Sequence, residues 1–125
     1  MNAIEKFTAG PDHAPEAFAA ELTEAVFPVA LRYGAPDSWL DLELDLWHVL
    51  AETVEKWTRN SPPDDSPRRF EIWRNGLLAE LADAAYHTTL RHGARGSRAR
   101  SQRHLYQAFR AAIGETVRNC QQVAV

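Results

Sequence analysis

One stretch of the chain is written twice, fifty-nine positions apart. Residues 20–38 read AELTEAVFPVALRYGAPDS and residues 79–97 read AELADAAYHTTLRHGARGS, identical at nine of nineteen positions without a gap. Both copies close on LR(Y/H)GA and then reach a serine. That pattern is a helix whose end is capped by glycine in the left-handed region, which is cheap only without a Cβ, followed by the N-cap of another helix. Extending the same register aligns Leu46–Trp47 with Leu105–Tyr106, Leu50 with Phe109 and Val54 with Ile113. Each copy therefore reads as an αα-hairpin. One such hairpin cannot bury its own apolar stripe, whereas two related hairpins facing each other can.

The punctuation along the chain agrees. Pro15 stands where a first helical residue tolerates proline, and Phe18, Leu22, Ala25, Val26, Val29 and Tyr33 recur at helical spacing up to Gly34. Pro28 removes one backbone hydrogen bond from that helix, predicting a kink near Glu24. A second helix is expected from Asp37 or Ser38 to about Asn60, and NSPPDDSP is the strong linker. A third is expected from Ser66–Pro67 to Gly93. The fourth should begin between Ser97 and Ser101, with Leu105, Phe109, Ala112, Ile113, Thr116 and Cys120 on one face. No segment alternates at period two for long enough to be a strand. The expectation is an all-α, four-helix bundle built from two related hairpins at residues 15–60 and 66–124. It forms one helical domain over 1–125, with a flexible N-terminal tail over 1–13.

A length of 125 residues with 45% apolar and 25% charged residues suits one soluble globule with a real core. No apolar run approaches the roughly 20 residues that cross a bilayer, so no membrane association is expected. The opening MNAIEKFTAGPDH lacks the pattern of a signal peptide. The single cysteine, Cys120, cannot form an internal disulfide and falls on an apolar helix face, which predicts a buried thiol and a cytoplasmic protein. The net charge of −3 hides a split: residues 1–65 carry 13 acids against 4 bases, and residues 66–125 carry 4 acids against 10 arginines. Such asymmetry points to a basic surface for nucleic acid, or to two halves that attract each other or a partner.

Several residues break the local pattern. Glu43 projects among Leu46, Leu50, Val54 and Trp57, and Arg74 among Phe70, Leu78, Leu81 and Ala85. An unpaired buried charge costs several kcal/mol, so each needs a partner or an escape to solvent. A buried Glu43–Arg74 pair bridging the helices is expected, with a polar ligand site in the bundle as the alternative. Helix two is apolar over more than half its circumference, wider than one bundle seam uses. Leu42, Leu46 and Val49 form the stripe nearest its polar face and are the expected contact of a homo-oligomer. His48/Glu52 and Asp83/His87 have the four-residue spacing of metal-binding bundle helices, but both pairs fall on polar faces. No GxGxxG, P-loop, CxxC or Ser/His/Asp arrangement stands out. No catalytic residue, cofactor site or metal site is assigned, and the protein is read as a non-enzyme.

The segment RHGARGSRARSQRH, residues 91–104, has five arginines, two histidines and no acid. Arg91, Arg95, Arg98, Arg100 and Arg103 fit phosphates or an acidic protein surface, for which the chain's own Asp41/Glu43/Asp45 end is a candidate. The segment offers no aromatic side chain for stacking on bases, so a protein partner ranks ahead of RNA or DNA. The functional expectation is a non-catalytic, self-associating protein-interaction or adaptor module. A nucleic-acid accessory acting through residues 91–104 is the alternative.

Phe27, Pro28, Arg32, Tyr33 and Gly34, followed by Gly76, Leu78, Glu80 and Leu81, resemble the "FP…RYG" and "G-x-L-x-E-L" patterns of one bacterial family. These are the small four-helix-bundle proteins related to the 23S rRNA intervening-sequence protein and the retroelement accessory Avd. The likeness spans about a third of the chain and lacks that family's serine–isoleucine–proline stretch at the end of helix two. It implies a ring-forming, non-enzymatic bundle that contacts nucleic acid or a nucleic-acid enzyme.

Overall fold

Proline sets the start of two of the helices in the computed structural model. Helix α1 (Pro15–Tyr33) and helix α3 (Pro67–Arg91) both begin on the residue whose missing N–H is no loss in a first turn. Helices α2 (Trp39–Arg59) and α4 (Ala99–Val123) complete the bundle. The structure describes residues 15–33, 39–60, 67–92 and 99–123, and side chains over 17–32, 39–60, 67–92 and 103–119. The expected N-terminal tail, the caps at Gly34, Gly93 and Ser66, and the side chain of Cys120 lie outside the described residues. Among those described there is no strand. Helix α1 is continuous through Pro28. At the end of α3, the His92 N–H donates to the carbonyls of both Thr88 and Thr89, at 3.2 Å each.

Each helix packs on two neighbours: α1 on α2 and α4, and α3 on α2 and α4. Phe27 meets Trp39 across the first seam, Trp57 meets Trp73 across the second, and Tyr86 meets Tyr106 across the third. Late residues of one helix thus meet early residues of the next, as in an antiparallel up-down-up-down bundle. The end of α1 and the start of α2 lie at the same end of the bundle as the end of α3 and the start of α4, and the end of α2 and the start of α3 lie at the other.

The core follows the repeat. Eight pairs of positions separated by fifty-nine residues are buried in both copies: Phe18/Leu77, Leu22/Leu81, Thr23/Ala82, Val26/Ala85, Ala30/Thr89, Leu46/Leu105, Leu50/Phe109 and Val54/Ile113. Burial at both members of each pair is what two similar hairpins packed face to face require. The buried threonines add no reactive polar group to this core. Thr23, Thr53 and Thr89 donate their hydroxyls to carbonyls four residues back, at 2.7–2.8 Å. Thr88 accepts from Arg91 at 3.1 Å. Their hydrogen bonds satisfy these hydroxyls locally.

The α2–α3 seam is closed by Trp57. Its indole lies over Gly76, and a Cβ built on that glycine would stand 2.6 Å from the Trp57 ring. The Trp57 N–H donates to Glu80, which also accepts from Lys56 Nζ at 2.7 Å. Trp73 Nε1 donates to the Trp57 carbonyl at 3.2 Å, and the Trp73 ring stacks on Phe70. Gly114 is different, for a Cβ there meets nothing within 4 Å. Replacing a helical glycine by alanine gains about 1 kcal/mol from propensity, whereas overpacking costs about 1–3 kcal/mol. Gly76→Ala is expected to lower stability by about 1 kcal/mol net, and Gly114→Ala to raise it by a similar amount. Urea denaturation of the two variants checks both signs.

Candidate functional site

The sequence WLDLELDLW, residues 39–47, places apolar side chains on more than one side of α2. Two stripes compete for the core. Leu42, Leu46, Leu50, Thr53 and Val54 continue along the helix, whereas Leu40, Leu44 and Trp47 run out at His48 and Glu52. The longer stripe wins: Leu42 and Leu46 are 1% and 0% exposed, and Val49 is partly buried against the core. The expected oligomer contact through Leu42, Leu46 and Val49 is therefore corrected. Leu42 and Leu46 build the interior and offer no free surface to a second chain, and Val49 is left only partly exposed at its edge.

The shorter stripe remains outside. Trp39, Leu40 and Leu44 are 56%, 61% and 55% exposed. Leu40, Leu44 and Trp47 line a groove of ≈ 640 Å³ between α1 and α2, with Phe27 and Pro28 on the α1 side. Trp39 packs on Phe27, with ring centroids 6.4 Å apart. The charged lining residues are Glu24, Asp41 and Glu43, and no described Lys, Arg or His lines it. Pro28 carries no N–H, so the Glu24 carbonyl has no partner four residues on within its helix. Both residues line the groove.

The expected buried pair is also corrected. Glu43 is exposed beside the α1–α2 groove, and Arg74 is half-buried in a separate cleft between α3 and α4. The reason is angular: at 100° per residue Glu43 falls between the two apolar stripes, about 60° from Leu46 and about 40° from Trp47. From that edge its carboxylate reaches water. Arg74 shares a cavity of ≈ 200 Å³ with Leu78, Gly114, Val117 and Arg118, and its Nε is buried without a hydrogen-bond partner.

The basic segment is described only at its ends. Arg91 and Arg103 are exposed, while Arg95, Arg98 and the side chain of Arg100 lie outside the described residues. Among the described residues the acidic and basic ends meet through His92 Nε2 and Asp45 Oδ2 at 2.6 Å. His48, Glu52, Asp83 and His87 are all exposed on outer faces. Among the described residues no three His, Cys, Asp or Glu side chains gather as a metal site would require. No described helix is long and apolar enough to cross a membrane.

The repeat makes the groove distinctive. Positions equivalent to Phe27 and Trp47 are Tyr86 and Tyr106, which meet edge to face with centroids 6.0 Å apart. Positions equivalent to Leu40, Asp41, Glu43 and Leu44 are Ala99, Arg100, Gln102 and Arg103. One place in a duplicated frame is thus apolar and acidic in the first hairpin, and polar and basic in the second. No family model matches the chain, and no curated protein or solved structure matches it at a significant level.

The two stripes predict opposite responses. Leu46→Ala is expected to cost about 2–5 kcal/mol as a core truncation, and Leu44→Ala to stay within about 0.5 kcal/mol of the parent. Thermal denaturation of both variants measures the difference. A Leu44→Ala loss as large as that of Leu46→Ala would contradict the assignment of the outer stripe.

Proposed function

We propose that the protein is a non-catalytic interaction module, and that the α1–α2 groove is where it receives a segment of a partner protein. The observation that carries this reading is the apolar stripe of exposed Leu40 and Leu44 continued by partly buried Trp47. These side chains line a concave surface on which the two leucines are left outside the core. Exposed apolar surface of this kind, rimmed by polar residues, is characteristic of interaction sites. The core hydroxyls are satisfied by their own helices, which leaves the outer surface as the place where recognition chemistry collects.

Binding of RNA or DNA through the arginine segment is the second reading, favoured by the exposure of Arg91 and Arg103 beside three further arginines. Phosphate contacts would release counterions and weaken steeply with salt.

Panning a random peptide display library against the full chain, with Leu44→Glu as the counter-target, tests the first reading. Peptides of micromolar affinity that lose about tenfold or more, at least about 1.4 kcal/mol, on Leu44→Glu are the expected result. The variant should retain its helical circular dichroism because residue 44 is exposed. A gel shift with mixed RNA and DNA at about 50 mM salt, where phosphate contacts are strong, tests the second reading. Nucleic-acid binding abolished by Arg91→Glu/Arg103→Glu, with no Leu44-dependent peptide, would replace the first reading by the second.

A further inference from the structure

Resting on the groove as a docking surface, we infer that its occupant is a basic amphipathic helix of a partner protein, apolar on one face and flanked by lysine or arginine. Geometry selects the helix. The lining residues Ala20, Thr23, Glu24 and Phe27 recur on α1 at helical spacing, and Leu40, Leu44 and Trp47 do so on α2. Each wall is two turns long, about 10 Å at 1.5 Å per residue. That span matches the i, i+3/i+4, i+7 anchors of a third helix laid between two others. An extended strand needs a row of unpaired backbone groups to pair with. The walls are helices whose backbone groups are bonded internally except in the first turn of α2 and at the Glu24 carbonyl opposite Pro28, so neither wall offers such a row.

Charge selects the sign. Glu24, Asp41 and Glu43 line the groove, and no described basic residue does. Asp45, on the same helix, is occupied by His92. Lysine or arginine beside the apolar anchors would meet the carboxylates of Glu24 and Glu43, and one such donor can also reach the Glu24 carbonyl. A second copy of the chain is a poor occupant on two counts. Groove against groove would set one group of carboxylates against another, which like-charge repulsion opposes. The chain's own arginine segment, residues 91–104, carries charge but only alanines as apolar side chains, so it cannot fill the space between Phe27, Leu40, Leu44 and Trp47.

The repeat supplies a separate argument. The change is confined to the α2 wall: Leu40, Asp41, Glu43 and Leu44 correspond to Ala99, Arg100, Gln102 and Arg103, while Glu24 has Asp83, and Phe27 and Trp47 have Tyr86 and Tyr106, as counterparts. On that wall leucines and acids occur together in one copy and are replaced together in the other, the pattern expected where a single ligand uses both.

Three synthetic peptides test the inference against the full chain, with intrinsic fluorescence of Trp39 and Trp47 and calorimetry as readouts. The first is a tryptophan-free Leu/Ala/Lys helix with leucines at helical spacing, the second its twin with Glu for every Lys, and the third a scramble of the first without that spacing. The Lys helix is expected to bind at micromolar Kd, with the Glu twin and the scramble each at least about tenfold weaker. Glu24→Gln/Glu43→Gln should weaken the Lys helix about tenfold and flatten its salt dependence. Equal binding of the scramble, or a preference for the Glu twin, would overturn the inference. If those unexpected ligands still lose affinity on Leu44→Glu, the groove stands as a docking surface and only its partner is wrong. If no peptide responds to Leu44→Glu, both readings fall.

Discussion

Neither hairpin of this protein can bury its own apolar stripe, and that constraint organises everything else. Helices α1 and α2 present Phe18, Leu22, Val26, Leu42, Leu46 and Leu50 toward a space that only α3 and α4 can fill. Burial of a leucine or phenylalanine side chain stabilises by roughly 1.5–3 kcal/mol, and most of that gain requires the second hairpin. The α2–α3 seam matters because it joins the two units. There Trp57 lies over Gly76 and shares Glu80 with Lys56, so a polar clasp and a steric fit act at one point. The glycine and glutamate that stood out as part of a sequence pattern have a packing explanation in this contact.

The helices and the core were largely legible from the sequence because the signals were local. Pro15 and Pro67 mark helix starts, and the fifty-nine-residue register pairs Leu46 with Leu105 and Leu50 with Phe109, all buried. What could not be read locally was the rotation of α2. Two apolar stripes share that helix, and local hydrophobicity does not choose between Leu42/Leu46 and Leu40/Leu44. The deciding signal was continuity, since only the stripe through Leu50 and Val54 runs the length of the helix. Glu43 was misplaced for the same reason: a residue between two stripes is buried or exposed according to which stripe turns inward. Trp57 over Gly76 depends on how two helices face each other, and its only trace in the sequence was a glycine in mid-helix where no turn was needed.

Polarity along the repeat separates frame from surface. Positions facing the centre keep their character in both copies, while positions at the start of α2 and α4 do not: Asp41 corresponds to Arg100 and Leu44 to Arg103. The acidic excess of the first half and the basic excess of the second are in part the sum of such exchanges. His92 and Asp45 show that the two ends lie close enough to interact within one molecule. Attraction between them adds to the cohesion of the bundle end and is screened by salt, as exposed pairs are.

The cyclic contact pattern makes the order of the two hairpins immaterial to the core. Helices α1 and α4 are neighbours in the same sense as α3 and α2, so the start of α1 and the end of α4 lie at the same end of the bundle as the end of α2 and the start of α3. A chain in which α3 and α4 preceded α1 and α2 would therefore keep the same interior neighbours, given a linker between the end of α4 and the start of α1. The core is in this sense a property of the pair of hairpins and not of the order in which they are written.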